Sequence, residues 1–413
     1  MLTGRIIHNL SSAFRFKLSK AKGPFIWDEK GKKLIDFTSG WNVTNLGWNH
    51  PEITEAIIKQ AKINTYVPMW SQSSIQEQYA DALANCLPKT LQVFSRETGG
   101  VNANVMAIKA ARAFTGKKKI VGFSDTFHGS LYGALEISYK PEYLLSRSVF
   151  LTYENFVQLQ FPGIDSDNID PKAVLKKFMT DLENVLKKGD VAAVVCEAGI
   201  ITGWGTTDVA PSGFLKSVRD ITKKFGVLLI LDEVGTGFSR LGKLFGMELE
   251  EVEPDFATFA KGISNGALPI GTMATSKKIA EAVYAKSQPQ STFGWNPISV
   301  AAALKTLQIH RRDKVWIKAE DYGNYIMETL KSELSKNPLV TDIIGIGMEI
   351  KIKLDLTGKN LSTNRLIDEA YKNGLHLCKS SDNSFQIMPP LTIERKTLDQ
   401  GIEIFVKTLK SFS

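Results

Sequence analysis

Between residues 91 and 275 the chain repeats one pattern: a short, unbroken apolar run, followed by a stretch in which apolar positions recur every three or four residues. The runs are Leu91 to Phe94, Lys119 to Phe123, Val149 to Thr152, Val191 to Cys196, Val227 to Leu231, Phe256 to Phe259 and Gly271 to Ala274. Runs so short and so apolar predict strands buried on both faces. Helical spacing fills several of the gaps, as in Asn104 to Phe114, Pro171 to Lys188 and Pro211 to Phe225. The alternation predicts an α/β fold, with a mostly parallel central sheet flanked by helices.

The two ends read differently. Phe25 to Phe37 has the form of a hairpin, two short strands around Lys30-Gly31, and from about Val315 long helices mix with short strands such as Glu349 to Leu354. This predicts a small α+β domain built from both termini. The expected division is 1–45 for an N-terminal arm and part of the small domain, 46–310 for the large domain and 311–413 for the C-terminal small domain.

Composition narrows the picture. With 413 residues, 43% hydrophobic and 23% charged, the chain has the material for one or two large cores. A net charge of +8 invites a nucleic-acid reading, but Lys and Arg are scattered among acids, with no basic block. No nucleic-acid partner is expected. No apolar run approaches the ~20 residues of a membrane helix, so no membrane partner is expected either. Cys86, Cys196 and Cys378 are far apart, without metal-ligand spacing, so no metal is expected and a reducing, cytoplasmic setting fits. The basic start, with Arg5, Arg15 and Lys17 and no acid before Asp28, reads as an arm of the mature protein or as an organellar targeting segment.

Candidate chemistry gathers where strands should end, the place where ligands sit in open α/β sheets. Thr98-Gly99-Gly100-Val101 passes into a helical pattern, which could turn backbone N–H groups and a helix dipole onto an anion, or be an ordinary turn. Phe127-His128 follows a strand and could cover a planar ring, or be core. Glu197 ends the VAAVVC run as a ligand-facing carboxylate or a cap. Asp232 ends VLLIL, and Lys261 follows FATFA after what the spacing presents as a strand–helix–strand unit. A carboxylate beside a pyridine nitrogen keeps that nitrogen protonated, and a desolvated lysine can form a Schiff base with an aldehyde. Gly235-Thr236-Gly237 is partly similar to a dinucleotide-binding turn, but Arg240 stands in the third glycine's place and the segment lies mid-chain.

Taken together, eight segments in order resemble the class-III, fold-type-I aminotransferases that use pyridoxal 5'-phosphate, the ornithine, acetylornithine and omega-amino acid transaminase group. They are FIWDEKGKKLIDFTSGWNVTNLGWNHPEI, ETGGVNANVMAIKAAR, FHGS, VVCEAG, LLILDEVGTGFSRLGKLFG, TFAKGISNGALPIGTM, STFGWNPISVAAAL and QIMPPLTI. The resemblance implies that Lys261 holds the cofactor as a Schiff base and moves the proton, and that Asp232 pairs with the ring nitrogen. It implies Val234 on one ring face, Phe127 on the other with His128 beside it, Gly99, Gly100 and Val101 around the phosphate, and Glu197 in the same cofactor site. Thr292 would reach the phosphate of a neighbouring subunit, which implies a homodimer with shared sites.

Departures from the family pattern bear on substrate. Gln386 replaces an arginine that binds carboxylates in many members, Thr202 stands where its glutamate partner would be, and Gly235 replaces a glutamine near the ring oxygen. Trp41 and Trp70 are the expected aromatic wall of the pocket. The reading is an aminotransferase that moves an amino group from an amine, amino sugar or omega-amino compound to a keto acid in two half-reactions. An aminomutase, racemase or decarboxylase would keep the same Lys261 and Asp232, and a non-catalytic cofactor-binding protein is the alternative of another class.

Overall fold

A computed structural model describes residues 16–412 except 132, 139–152, 165–169, 204–206, 288–290, 360 and 380–382, together with the short strands Leu2–Thr3 and Ile6–Ile7. The basic N-terminal segment's Arg5 and Arg15, and the strand expected at Val149 to Thr152, lie outside the described residues.

Seven strands make the central sheet: β1 (Val93–Phe94), β2 (Lys119–Phe123), β3 (Phe156–Leu159), β4 (Val191–Cys196), β5 (Leu228–Asp232), β6 (Phe256–Phe259) and β7 (Thr272–Thr275). Their order across the sheet is β1-β7-β6-β5-β4-β2-β3, parallel from β6 to β3 and antiparallel where β7 meets β6 and β1. Every residue of β4 and β6 is buried, as strands covered on both faces must be. The parallel strands therefore end on one edge, and the loops leaving β2, β4, β5 and β6 converge there.

Helix α1 (Gly100–Thr115) crosses one face of this sheet on a buried stripe that includes Ala103, Ala107, Ala110 and Ala111. Small side chains bring its axis close to the strands, so its N-terminus stands at the edge where the loops meet. It ends at Gly116, whose left-handed φ of 70° lets the chain turn back at little steric cost.

The segment between β5 and β6 is not the helix that the spacing implied. It is a series of turns with a single 3-10 turn at Gly246–Leu249. Glu233, fully buried, organises it by accepting hydrogen bonds from Thr236 Oγ1 (2.5 Å), Gly246 N (2.9 Å) and Met247 N (2.7 Å). The Gly-rich turn is therefore folded onto its own carboxylate.

The chain ends meet in a four-stranded sheet. The hairpin Phe25–Asp28 and Lys33–Asp36 is antiparallel, and Leu375–His376 adds to it in parallel, Leu375 opposite Ile35. Another sheet contains Glu349–Leu354 beside Ser384–Ile387, with Lys351 opposite Gln386. A large apolar cluster carries residues from both sets, among them Phe37, Ile53, Leu330, Ile350 and Phe405.

Candidate active site

A cavity of about 410 Å³ opens at the strand ends. Its lining includes Gly99, Gly100, Val101, Phe127, His128, Glu197, Asp232, Val234 and Lys261, nine positions that sequence alone proposed. The fold assembles them from five segments.

Asp232, the last residue of β5, is 3% exposed and held from three sides. His128 Nδ1 lies 2.7 Å from Oδ2, Asn104 Nδ2 donates to the same oxygen at 2.8 Å, and Val234 N donates to Oδ1 at 2.9 Å. Asn104 is fixed in turn, because Thr258 Oγ1 donates to its Oδ1 at 2.6 Å. Three donors fix the orientation of the carboxyl group toward the cavity. Asn104 was absent from the sequence-based site, although its position one helical turn beyond Gly100 puts it on the face that opens to the strand ends.

Lys261 follows β6 in a left-handed conformation, φ 47°, at the start of a 3-10 turn. Such backbone geometry is costly for a side chain with a Cβ and recurs at functional positions. Desolvation lowers its pKa, opposed by the nearby carboxylates Glu197, Asp232 and Glu349. Gly100 also packs tightly, since a Cβ there would sit 3.0 Å from both Val234 methyls. The backbone can thus approach a ligand at the N-terminus of α1, where N–H groups and dipole favour an anion.

Glu197 ends β4. Its Oε2 accepts from Thr202 N at 2.9 Å and Thr202 Oγ1 at 2.5 Å. Burial and then the neighbouring Asp232 push its carboxyl up to about 7, against the opposing pull of His128 and Thr202. The same hydroxyl explains Gly235: a Cβ at that position would lie 1.9 Å from Thr202 Oγ1.

The four remaining candidates do not line this cavity. Thr292 is exposed, Trp70 is 87% exposed and Trp41 is half-buried. Gln386 is fully buried and donates through Nε2 to Thr207 Oγ1 (2.9 Å) and Glu349 Oε1 (3.2 Å). Glu349 also accepts from Thr207 Oγ1 at 2.8 Å and, through Oε2, from Asn42 Nδ2 at 2.6 Å. Sequence reasoning missed Glu349, Asn42 and Thr207, which only the folded chain brings together.

The donors and acceptors suit pyridoxal phosphate. The α1 N-terminus is open to a phosphate, Lys261 to an aldehyde and Asp232 to a ring nitrogen, within a volume typical of cofactor pockets. Fold and cavity together define a pyridoxal-phosphate-dependent transferase of fold type I. The model of the class-III aminotransferases matches residues 7–409, and the chain belongs to that family. It is 32% identical over 385 residues to the acetylornithine aminotransferase of Streptococcus mutans, covering 93% of each chain. Among solved structures, the taurine:2-oxoglutarate aminotransferase of Bifidobacterium kashiwanohense, in complex with PLP and glutamate, superposes with a TM-score of 0.92 at 25% identity, over 98% of this chain and 95% of that one. An (S)-enantioselective omega-transaminase from Thermomicrobium roseum gives 0.90 at 27% identity, over 98% and 96%. The protein is a pyridoxal-phosphate-dependent aminotransferase.

Proposed function

We propose that this aminotransferase takes its amino group from an amine, amino sugar or omega-amino compound and passes it to a keto acid by a ping-pong mechanism. The observation that carries the donor class is Gln386. Where the resemblance places a guanidinium for carboxylates, this chain has an amide whose nitrogen is bonded to Thr207 and Glu349. An amide so engaged offers no bidentate ion pair to an α-carboxylate. The names of the similar enzymes, acetylornithine, taurine and omega-transaminases, describe donors that carry the reacting amine away from an α-carbon or lack the α-carboxylate.

The chemistry pyridoxal phosphate brings when bound is an aldehyde that condenses with amines and a pyridine ring that draws electrons from the carbon bearing nitrogen. This chain's residues do the rest. Lys261 Nζ, whose burial lowers its pKa against the pull of the nearby carboxylates, would accept the proton from the substrate carbon and later give it back. Asp232, kept in place by His128 and Asn104, would pair with the protonated ring nitrogen. The N–H groups of Gly100 and Val101, with Gly99 beside them, would hold the phosphate, and Val234 and Phe127 would lie against the ring.

The working form in this reading is a cytoplasmic homodimer with shared sites, residues 46–310 forming the cofactor-binding unit. An exposed apolar set, Ile63 (77%), Tyr66 (44%), Trp70 (87%), Tyr284 (74%) and Phe293 (66%), supports the dimer, and Thr292, exposed beside Phe293, is the residue this reading assigns to a second copy's phosphate. Steady-state assays with terminal amines, omega-amino acids and α-amino acids test the donor class. Activity confined to α-amino acids as donors sinks it, and initial-rate lines that intersect instead of running parallel sink the ping-pong order.

A further inference from the structure

Two carboxyls line the cavity among the described residues, and they are bonded differently. Both oxygens of Asp232 have donors. Glu197 has both of its donors on Oε2, while Oε1 is buried without a hydrogen-bond partner among the described residues. Glu197 as a whole is 4% exposed. A buried oxygen left open in this way costs stability unless a ligand completes it.

The order of strands says which part of the ligand that is. The phosphate-facing turn before α1 lies at the β1–β7 side of the sheet, where Glu97 pairs with Gly271. Next come Lys261 after β6, Asp232 at the end of β5, and Glu197 at the end of β4. On the pyridine ring of pyridoxal phosphate, the phosphate arm and the phenolic oxygen flank the aldehyde on opposite sides. With the phosphate on the β7 side and the aldehyde at Lys261, the phenolic oxygen falls toward β4.

We propose that Glu197 is a cofactor-tuning residue, donating a hydrogen bond from Oε1 to the phenolic oxygen of bound pyridoxal phosphate. Thr202 fixes the carboxyl by holding Oε2, which leaves the proton for Oε1. Gly235 belongs to the same device, because any Cβ there displaces the Thr202 hydroxyl. The charged or titratable groups that face Glu197 are Asp232 from β5, His128 from the loop after β2 and Lys261 from the turn after β6. Burial and Asp232 favour the protonated acid, with the carboxyl pushed up to about 7. The inference rests on the placement of the cofactor given under the proposed function.

The test is a pH titration of the visible absorbance of the holoprotein, with the cofactor dissociation constant measured in parallel. Glu197→Ala removes a donor that stabilises the anionic oxygen, so the midpoint should rise by about one pH unit and cofactor affinity should fall about tenfold. Glu197→Gln should stay near wild type. Its carbonyl must take the Oε2 position, because two donors face it, which turns the NH2 toward the cavity. Thr202→Ala and Gly235→Ala, which disturb the same hydroxyl by different routes, should give smaller rises. Should Glu197→Ala fail to fold by circular dichroism, Glu197→Met fills the volume without a donor and is read the same way. A midpoint that falls, or does not move, in Glu197→Ala or Glu197→Met overturns the proposal. Lys261→Ala separates the two readings: if that variant keeps the visible band, the cofactor's placement fails, whatever Glu197 does.

Discussion

Two buried acids, Asp232 and Glu349, both act electrostatically on Lys261, and each is held by amide and other polar side chains. Asp232 has His128 and Asn104, with Thr258 behind. Glu349 has Asn42, Thr207 and Gln386. Asp232 faces the cavity; Glu349 does not line it. The Asp232 network comes from elements at one edge of the central sheet and fixes a charge where a ligand arrives. The Glu349 network joins residues separated by 307 and 142 positions and fixes the chain itself. Through Asn42 it pins the run Ser39, Gly40, Trp41 and Asn42, all at positive φ between 46° and 72°. Left-handed geometry costs about 1–2 kcal/mol per non-glycine residue, so such a run persists only when side-chain bonds hold it. Residue type alone does not separate a chemical group from a lock. The difference lies in where the acid's remaining hydrogen-bonding capacity points.

Mutations that act on one network and spare the other test this contrast. Lys261→Ala, on the cavity side, should lower kcat by more than about 10³-fold while far-ultraviolet circular dichroism is unchanged. Asp232→Ala should lower kcat/KM at least about a hundredfold and weaken cofactor binding, since His128 and Asn104 lose their shared acceptor. Glu349→Ala should act in the other currency, destabilising the fold by about 3 kcal/mol in denaturant titration because three buried donors lose their acceptor. A loss of activity in Glu349→Ala with full stability would collapse the distinction.

A pH series separates the acids further. Glu97 and Glu197 are each pushed up to about 7, in both cases chiefly by burial. An acid held above its unfolded value binds its proton more tightly when folded. Its stabilisation is full below the unfolded value, near 4.5, and is lost as pH rises toward and through about 7. Unfolding free energy of the cofactor-free protein should therefore decline across that window, and Glu97→Gln should flatten the decline. The finest comparison pairs two threonines. Thr258→Val should weaken cofactor binding a few-fold by loosening Asn104, whereas Thr207→Val should cost about 1 kcal/mol of stability and leave cofactor affinity alone.

The strands most legible in the sequence were those buried on both faces. Lys119–Phe123, Val191–Cys196 and Phe256–Phe259 begin and end where the apolar runs do, because a strand buried on both faces leaves little room for polar residues. The helix expected between Asp232 and Lys261 failed for a local reason: Glu233 turns inward and takes three donors, folding the segment into turns. Asp232 and Lys261 were visible because they stand at the ends of apolar runs, within segments that resemble those of the family. Glu349 looked like the first residue of an ordinary strand, and nothing near it in sequence announces its partners.

The sequence by itself determined the alternation of strands and helices, the family, the cofactor and the residues that stand at strand ends. These are local properties, set by which side chains follow which. Only the tertiary structure decided that Gln386 is spent on Glu349, that Thr202 occupies the space a side chain at 235 would need, and that Glu197 keeps one oxygen open. Each depends on residues distant in sequence approaching within a hydrogen bond's reach, which strand order and register fix and composition does not.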